Sequence, residues 1–99
     1  MMILPPPDCT TMTEVRAGVD QVDRELIVLL ARRFGYMDAA ARIKPTRDQV
    51  RDEHRKAEVI ANARALAQAA GLPADAIARL WEQLVEASIA YELDAFDRI

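Results

Sequence analysis

An uninterrupted helical pattern covers almost a third of the chain and sets the main constraint on its fold. Thr11 and Glu14 have the spacing of a capping box, and apolar residues then recur at intervals of three and four. The apolar positions are Val15, Val19, Val22, Leu26, Leu29, Phe34, Met37 and Ala40. No proline follows until Lys44-Pro45, where proline disfavours helix for the residue before it. We therefore predict a first helix from about residue 12 to about residue 43.

Two shorter helices account for the rest of the chain. The second is predicted to begin between Asp48 and Asp52 and to stop at Gly71, a residue type that favours the left-handed turn after a helix. Pro73 suits the first turn of a third helix, which runs nearly to the C-terminus. No stretch has the alternation of a strand. We predict an extended N-terminal arm over residues 1–10 and one all-α domain over residues 11–99.

The length of the first helix indicates that the chain associates with another chain. A helix of about 30 residues spans about 45 Å, and two shorter helices cannot cover all of its apolar stripe. A two-fold homodimer is the commonest way to cover such a surface. The sequence therefore predicts an intertwined homodimeric bundle with three helices per chain. A monomer with a long, partly exposed helix is the alternative.

Cations occupy positions of the first helix where a packed face would otherwise continue. Steps of four and three residues from Val15 lead to Arg33, and the same stripe reaches Lys44. These two cations are about 20° apart around the helix axis, so they share one face. Buried cations are costly unless they are paired. Arg33 could instead extend its charge to water, and Lys44 could cap the end of the helix.

The other two helices also place polar residues beside their apolar faces. Ser88 and Glu92 are four residues apart and point the same way on the third helix. Asp52, Arg55 and Lys56 precede the apolar face of the second helix. Glu92 could form an interhelical ion pair with an arginine, and Ser88 could bond back to its own helix. Taken together, these residues predict a cationic pocket for a small anionic ligand.

Several classes of function do not fit this composition. A net charge of −3 and a pI near 5.1 argue against a general nucleic-acid binder. No apolar run approaches the roughly 18 residues that span a bilayer, and no export signal is visible, so we expect a cytoplasmic protein without a membrane partner. The single cysteine, Cys9, permits no internal disulfide. Without Cys/His clusters, phosphate-binding glycine loops or a Ser-His-Asp set, we expect no metal and no cofactor.

Arg16 adds a geometric argument for two chains. It precedes Arg33 by 17 residues, which is about 25 Å along one helix. A ligand of roughly ten heavy atoms cannot touch both side chains from one subunit. If Arg16 serves the pocket, it must come from the partner subunit.

The segment from Val15 to Arg33 resembles the opening of the all-helical chorismate mutase family. It contains an arginine, two aspartates in an apolar-Asp-x-apolar-Asp run, a leucine-rich stretch and a second arginine. Lys44 follows 11 residues later, as in that family. The resemblance covers about residues 8–96. It implies an intertwined helical dimer with two identical sites and a small dicarboxylate substrate, chorismate or isochorismate.

The resemblance also implies a role for each candidate site residue. Arg16 of the other subunit would hold substrate carboxylates together with Arg33 and Arg55 of the same one. Ser88 would lie near the ring carboxylate.

Three further positions match family residues that contact the substrate's ring or the ether oxygen that joins the ring to its side chain. Lys44 and Glu92 would contact the ether oxygen of the breaking bond. The backbone of Asp52 would contact the ring hydroxyl. Lys44, Glu92 and Arg33 are therefore the expected catalytic residues.

Two departures keep three functions open. Family mutases often carry a glutamate, which binds the ring hydroxyl, where this chain has Lys56, and the loop after Lys44 is one residue shorter. The run from Gly35 to Lys44 and the opening Pro7-Asp8-Cys9-Thr10 are similar to the salicylate-forming isochorismate-pyruvate lyase branch. Chorismate mutase is the leading prediction, and the lyase is the alternative. The second alternative is a non-catalytic helical dimer that binds a metabolite or protein.

Overall fold

A computed structural model describes residues 2–99, and within them the chain forms three α-helices and no strand. Helix α1 spans Met12–Ile43, α2 spans Glu53–Ala69 and α3 spans Ala74–Asp97. The predicted all-α class, with three helices and a long first one, is confirmed. The chain divides into two compact units, of which the first ends at Arg33 and the second spans Phe34–Ile99.

The start of α1 is fixed by the predicted capping box. The Thr11 hydroxyl accepts a hydrogen bond from the backbone N–H of Glu14 at 3.2 Å. The Glu14 carboxylate in turn accepts from the backbone N–H groups of Thr10 at 2.9 Å and Thr11 at 3.0 Å. These donors, with Thr10 the strongest, lower the pKa of Glu14. The N–H groups of Thr11 and Glu14 at this helix end are thereby satisfied.

The prediction of an extended arm before α1 is wrong for part of that segment. Pro6–Asp8 form a 3₁₀ turn that ends at Cys9, whose backbone N–H donates to the Pro6 carbonyl at 3.2 Å. Proline fixes φ near the value that such a turn requires. The arm and the first turns of α1 line an apolar groove of about 530 Å³.

The apolar stripe of α1 is uncovered in a single chain over much of its length. Its side chains there are between 38% and 53% exposed, namely those of Val15, Val19, Val22, Leu26 and Leu29. An apolar stripe of this length is unusual on a monomer surface.

The second unit contains the main core. Helices α2 and α3 pack against each other, and Val50, Val85 and Ile89 are buried between them. Four half-buried side chains complete this cluster: Val59, Ile60, Leu93 and Phe96.

The helix boundaries in this unit follow ordinary capping chemistry. Asp52 caps α2 by accepting the backbone N–H of Arg55 at 3.0 Å, so the helix begins at the late end of the predicted range. Gly71 ends the turn after α2 with φ of 73°, as predicted. Pro73 precedes α3 by one residue instead of lying in its first turn.

Candidate active site

The most buried charged contact joins the end of α1 to α3. Lys44 follows the last residue of α1, and its ammonium Nζ lies 2.7 Å from Oε2 of Glu92. Glu92 is only 4% exposed and lies on the same α3 face as Val85 and Ile89. A second Lys44 contact reaches the Val50 carbonyl at 3.5 Å. The Glu92 and Val50 oxygen atoms both lie outside α1. The interpretation of Lys44 as a cap of α1 does not account for these contacts.

Ser88 lies one turn before Glu92 on the buried face of α3. It is 4% exposed, and its hydroxyl donates to the Leu84 carbonyl of its own helix at 2.7 Å. The interpretation of Ser88 as a residue bonded back to its helix is therefore confirmed. Ser88 and Glu92 therefore give the buried face of α3 two polar side chains one turn apart.

The two adjacent cations in the first turn of α2, Arg55 and Lys56, point in different directions. The Arg55 guanidinium pairs with Glu58 one turn further along and is 62% exposed. Lys56, the next residue, is only 16% exposed and faces α3. Asp52 is exposed, and its carboxylate is engaged as the helix cap. Of the two cations, Lys56 is therefore the one that α2 directs to α3.

Lys56 belongs to an ionic network that the sequence analysis did not identify. Its Nζ lies 2.7 Å from Glu82 and 2.8 Å from Glu86 of α3. Arg51 donates to both carboxylate oxygens of Glu86, at 2.8 and 3.0 Å, and also reaches Glu53 at 2.8 Å. The signal was present, because residues four apart, such as Glu82 and Glu86, lie on one face of a helix.

The network has a clear electrostatic signature. Hydrogen bonds from Arg51, and then from Lys56, lower the pKa of Glu86 to about 2. Glu82 and Glu86 in turn raise the pKa of Lys56. A carboxylate held by two cations in this way stays ionised far below neutral pH.

The stability contributed by Glu86 is expected to disappear in acid. Its pKa in the folded chain lies below the ordinary value of 4.5, so its ion pairs stabilise the fold above pH 4.5. That contribution is lost as the pH falls from 4.5 towards 2. We expect Glu86→Gln to lower the melting temperature at pH 6 and to match the wild-type chain near pH 2. Thermal unfolding across pH 2–6 measures this difference, with Asp20→Asn as an exposed control. A gap that stays constant across this range would contradict the assignment.

The predicted site residues divide between the two units. In the second unit, Lys44 contacts Glu92, with Ser88 one turn away on α3, while the Arg55 side chain faces solvent. Arg16 and Arg33 belong to the first unit, where Arg16 is exposed and Arg33 is half-buried. Within residues 2–99, no group of three or more His, Cys, Asp or Glu side chains could hold a metal ion. No helix in that part of the chain is long and apolar enough to cross a bilayer.

Two comparisons with known proteins bear on this site. The family model described as chorismate mutase type II matches residues 15–93, a range that contains all seven candidate site residues. The isochorismate pyruvate lyase of Pseudomonas aeruginosa is 28% identical over 88 residues. That alignment covers 89% of this chain and 87% of the relative. The similarity therefore extends over nearly the whole length of both chains.

Proposed function

Because the chain belongs to the chorismate mutase type II family, we propose that it is an enzyme that rearranges chorismate to prephenate. The pair of Lys44 and Glu92 carries this proposal, because it places a half-buried ammonium 2.7 Å from a buried carboxyl group. The reaction needs no covalent help from the protein. It needs a folded substrate conformation and a donor for the ether oxygen of the breaking bond.

Lys44 supplies the larger electrostatic effect in this mechanism. As the C–O bond breaks, negative charge grows on the ether oxygen, and a nearby ammonium stabilises the transition state more than the bound substrate. Glu92 lies 2.7 Å from the same ammonium, so both groups can reach one oxygen atom. Protonated Glu92 would donate a second hydrogen bond to that atom.

Arginines fix the two carboxylates of the substrate. A guanidinium binds a carboxylate through two parallel hydrogen bonds, which sets the direction as well as the position of the ligand. Arg33 and Arg55 would act from one subunit and Arg16 from its partner. Arg55 must turn away from Glu58 to do so, which its exposed position allows. Restricting the enolpyruvyl arm in this way lowers the entropic part of the barrier.

The remaining site residues define the ring end of the pocket. Ser88 would lie near the ring carboxylate. The backbone of Asp52 would contact the ring hydroxyl at the start of α2. Both residues lie in segments that the structure fixes by capping or by burial.

A homodimer completes this proposal. The exposed apolar stripe of α1 needs a cover, and a second copy of the same helix offers a matching surface. The same association would bring Arg16 of the partner to a pocket that Arg16 of the same chain is too distant to reach.

An isochorismate-pyruvate lyase is the second candidate. The relative from Pseudomonas aeruginosa has this activity by name. Lys56 also favours it, because its ammonium is held by two carboxylates where the mutase pattern has a free carboxylate. In the lyase reaction, one ring hydrogen moves to the enolpyruvyl group as the C–O bond breaks, which gives salicylate and pyruvate from the same pocket.

Product analysis separates these reactions. The purified protein is incubated with chorismate and with isochorismate in parallel, and the products are identified by chromatography and mass spectrometry. Prephenate from chorismate supports the mutase. Salicylate with an equal amount of pyruvate from isochorismate supports the lyase. Binding without turnover of either compound supports a non-catalytic module and contradicts the enzyme proposal.

Replacement of Glu92 tests its hydrogen bond to the ether oxygen. An amide in its place can donate this bond, so Glu92→Gln should keep turnover, whereas Glu92→Ala has no donor and should lose most of it. The measurement is the rate under saturating substrate. Equal rates in the two variants would remove Glu92 from this role.

A further inference from the structure

A second polar link between α1 and α3 lies next to the proposed catalytic pair. The Tyr91 hydroxyl donates to Oδ2 of Asp38 at 3.0 Å. Tyr91 is the residue immediately before Glu92 on α3, and Asp38 lies six residues before Lys44. The mechanism proposed above uses neither residue of this link.

The Tyr91 ring is held on its other side by an aromatic contact. Phe34 of α1 meets it edge to face, with ring centroids 4.9 Å apart and an interplanar angle of 67°. Phe34 and Asp38 are four residues apart, so they form one face of α1. This face therefore fixes both the plane of the Tyr91 ring and the direction of its hydroxyl. The hydrogen bond to Asp38 also raises the pKa of Tyr91, which keeps the phenol a donor.

Side chains matter here because α1 and α3 lack an extended backbone contact. In the second unit, α2 and α3 pack closely along their lengths, whereas α1 does not pack on α3 to the same extent. One ion pair alone leaves the end of α1 free to pivot about that contact. A second attachment, from Tyr91 of α3 to Asp38 of α1, removes that freedom.

We propose that Tyr91 and Asp38 are positioning residues, which fix the end of α1 against α3 so that the Lys44 ammonium meets the Glu92 carboxyl group. Tyr91 acts through this pair and does not touch the reacting atoms. The inference rests on the proposed function for its kinetic consequence. Its structural consequence, a coupling between Tyr91 and Glu92, does not depend on the reaction.

The test removes one oxygen atom. Tyr91→Phe keeps the ring contact with Phe34 and deletes only the hydrogen bond to Asp38. We expect kcat to fall about tenfold with KM changed less than twofold, because misplacement of a catalytic group affects the chemical step. Tyr36→Phe is the matched control, since Tyr36 is a 66% exposed phenol on α1, the helix of Phe34 and Asp38, and should behave as wild type. Asp38→Asn keeps an acceptor oxygen and should retain most activity, whereas Asp38→Ala should match Tyr91→Phe.

A double-mutant cycle in urea unfolding measures the energetic coupling between Tyr91 and Glu92 without any substrate. The effects of Tyr91→Phe and Glu92→Gln on the unfolding free energy should be non-additive, and those of Tyr36→Phe and Glu92→Gln should be additive. Additive behaviour in the first cycle, or a kcat for Tyr91→Phe within twofold of wild type, would overturn the proposal. If the wild-type chain turned over neither chorismate nor isochorismate, the proposed function would fail, and the unfolding cycle would still decide the positioning role.

Discussion

Replacement of Lys44 by alanine is expected to abolish nearly all turnover while the helical fold persists. The ammonium lies 2.7 Å from the Glu92 carboxylate, and it faces the position proposed for the ether oxygen. Removal of a preorganised donor to developing charge costs roughly 10²- to 10³-fold in rate. Single-turnover kinetics should place this loss in the chemical step, with substrate binding weakened much less.

The variant must be separated from a trivial loss of folding. Lys44→Ala leaves Glu92 buried without its cation, and an unpaired buried charge destabilises a fold. The double variant Lys44→Ala/Glu92→Gln removes that charge, and it should recover stability without recovering activity. Arg79→Ala, which deletes an exposed cation of α3, serves as the matched control and should keep full turnover. Near-normal turnover in Lys44→Ala would eliminate Lys44 from the mechanism.

Mixing two inactive variants is expected to restore activity. Arg16→Ala and Lys44→Ala should each be nearly inactive alone. In the proposed dimer, a mixed pair has one site with both wild-type side chains, because Arg16 comes from the opposite subunit. After unfolding and refolding of an equal mixture, half of the dimers are mixed and each has one intact site. The recovered rate should therefore be about one quarter of the wild-type rate per chain.

A matched mixture gives the opposite expectation. Arg33 and Lys44 are proposed to act from the same subunit, so a mixed dimer of Arg33→Ala with Lys44→Ala contains no intact site, because one site lacks Arg33 and the other lacks Lys44. Its rate should therefore stay near that of the single variants, and recovery to about one quarter of the wild-type rate would contradict the cis assignment of Arg33 and Lys44. The doubly substituted chain Arg16→Ala/Lys44→Ala, mixed with wild type, should instead lose both sites of each mixed dimer. A second mixture, of Lys44→Ala with wild type, should lose only one site of each mixed dimer. If both mixtures lost the same fraction of activity, the trans assignment of Arg16 would be refuted.

The helices could be predicted from the sequence because their signals are local. The capping box at Thr11 and Glu14, the long apolar period and the left-handed turn at Gly71 all act within a few residues of one another. The Asp52 cap fixed the start of α2 in the same way. The 3₁₀ turn over Pro6–Asp8 was missed, since a three-residue element leaves no periodic pattern to detect.

The side-chain partners of the site could be predicted only in part. The sequence placed Lys44 and Glu92 on packed faces, but it could not show that they would meet, because that depends on how α1 and α3 pack. The directions of Arg55 and Lys56 were also undetermined, since neighbouring residues on a helix differ by 100° and only the packing partner decides which is covered. Tyr91 and Asp38 gave no signal at all, because an exposed hydrogen bond between distant residues leaves no spacing to recognise.

The half-exposed valines and leucines along α1 have a consequence for how the protein behaves on dilution. If a second copy must cover them, folding and association become one equilibrium, and stability then depends on protein concentration. Specific activity should therefore fall in very dilute assays and recover when the stock is concentrated again. A cell that makes little of this chain would hold it largely as separated, poorly protected subunits, so its abundance would itself act as a threshold for its activity.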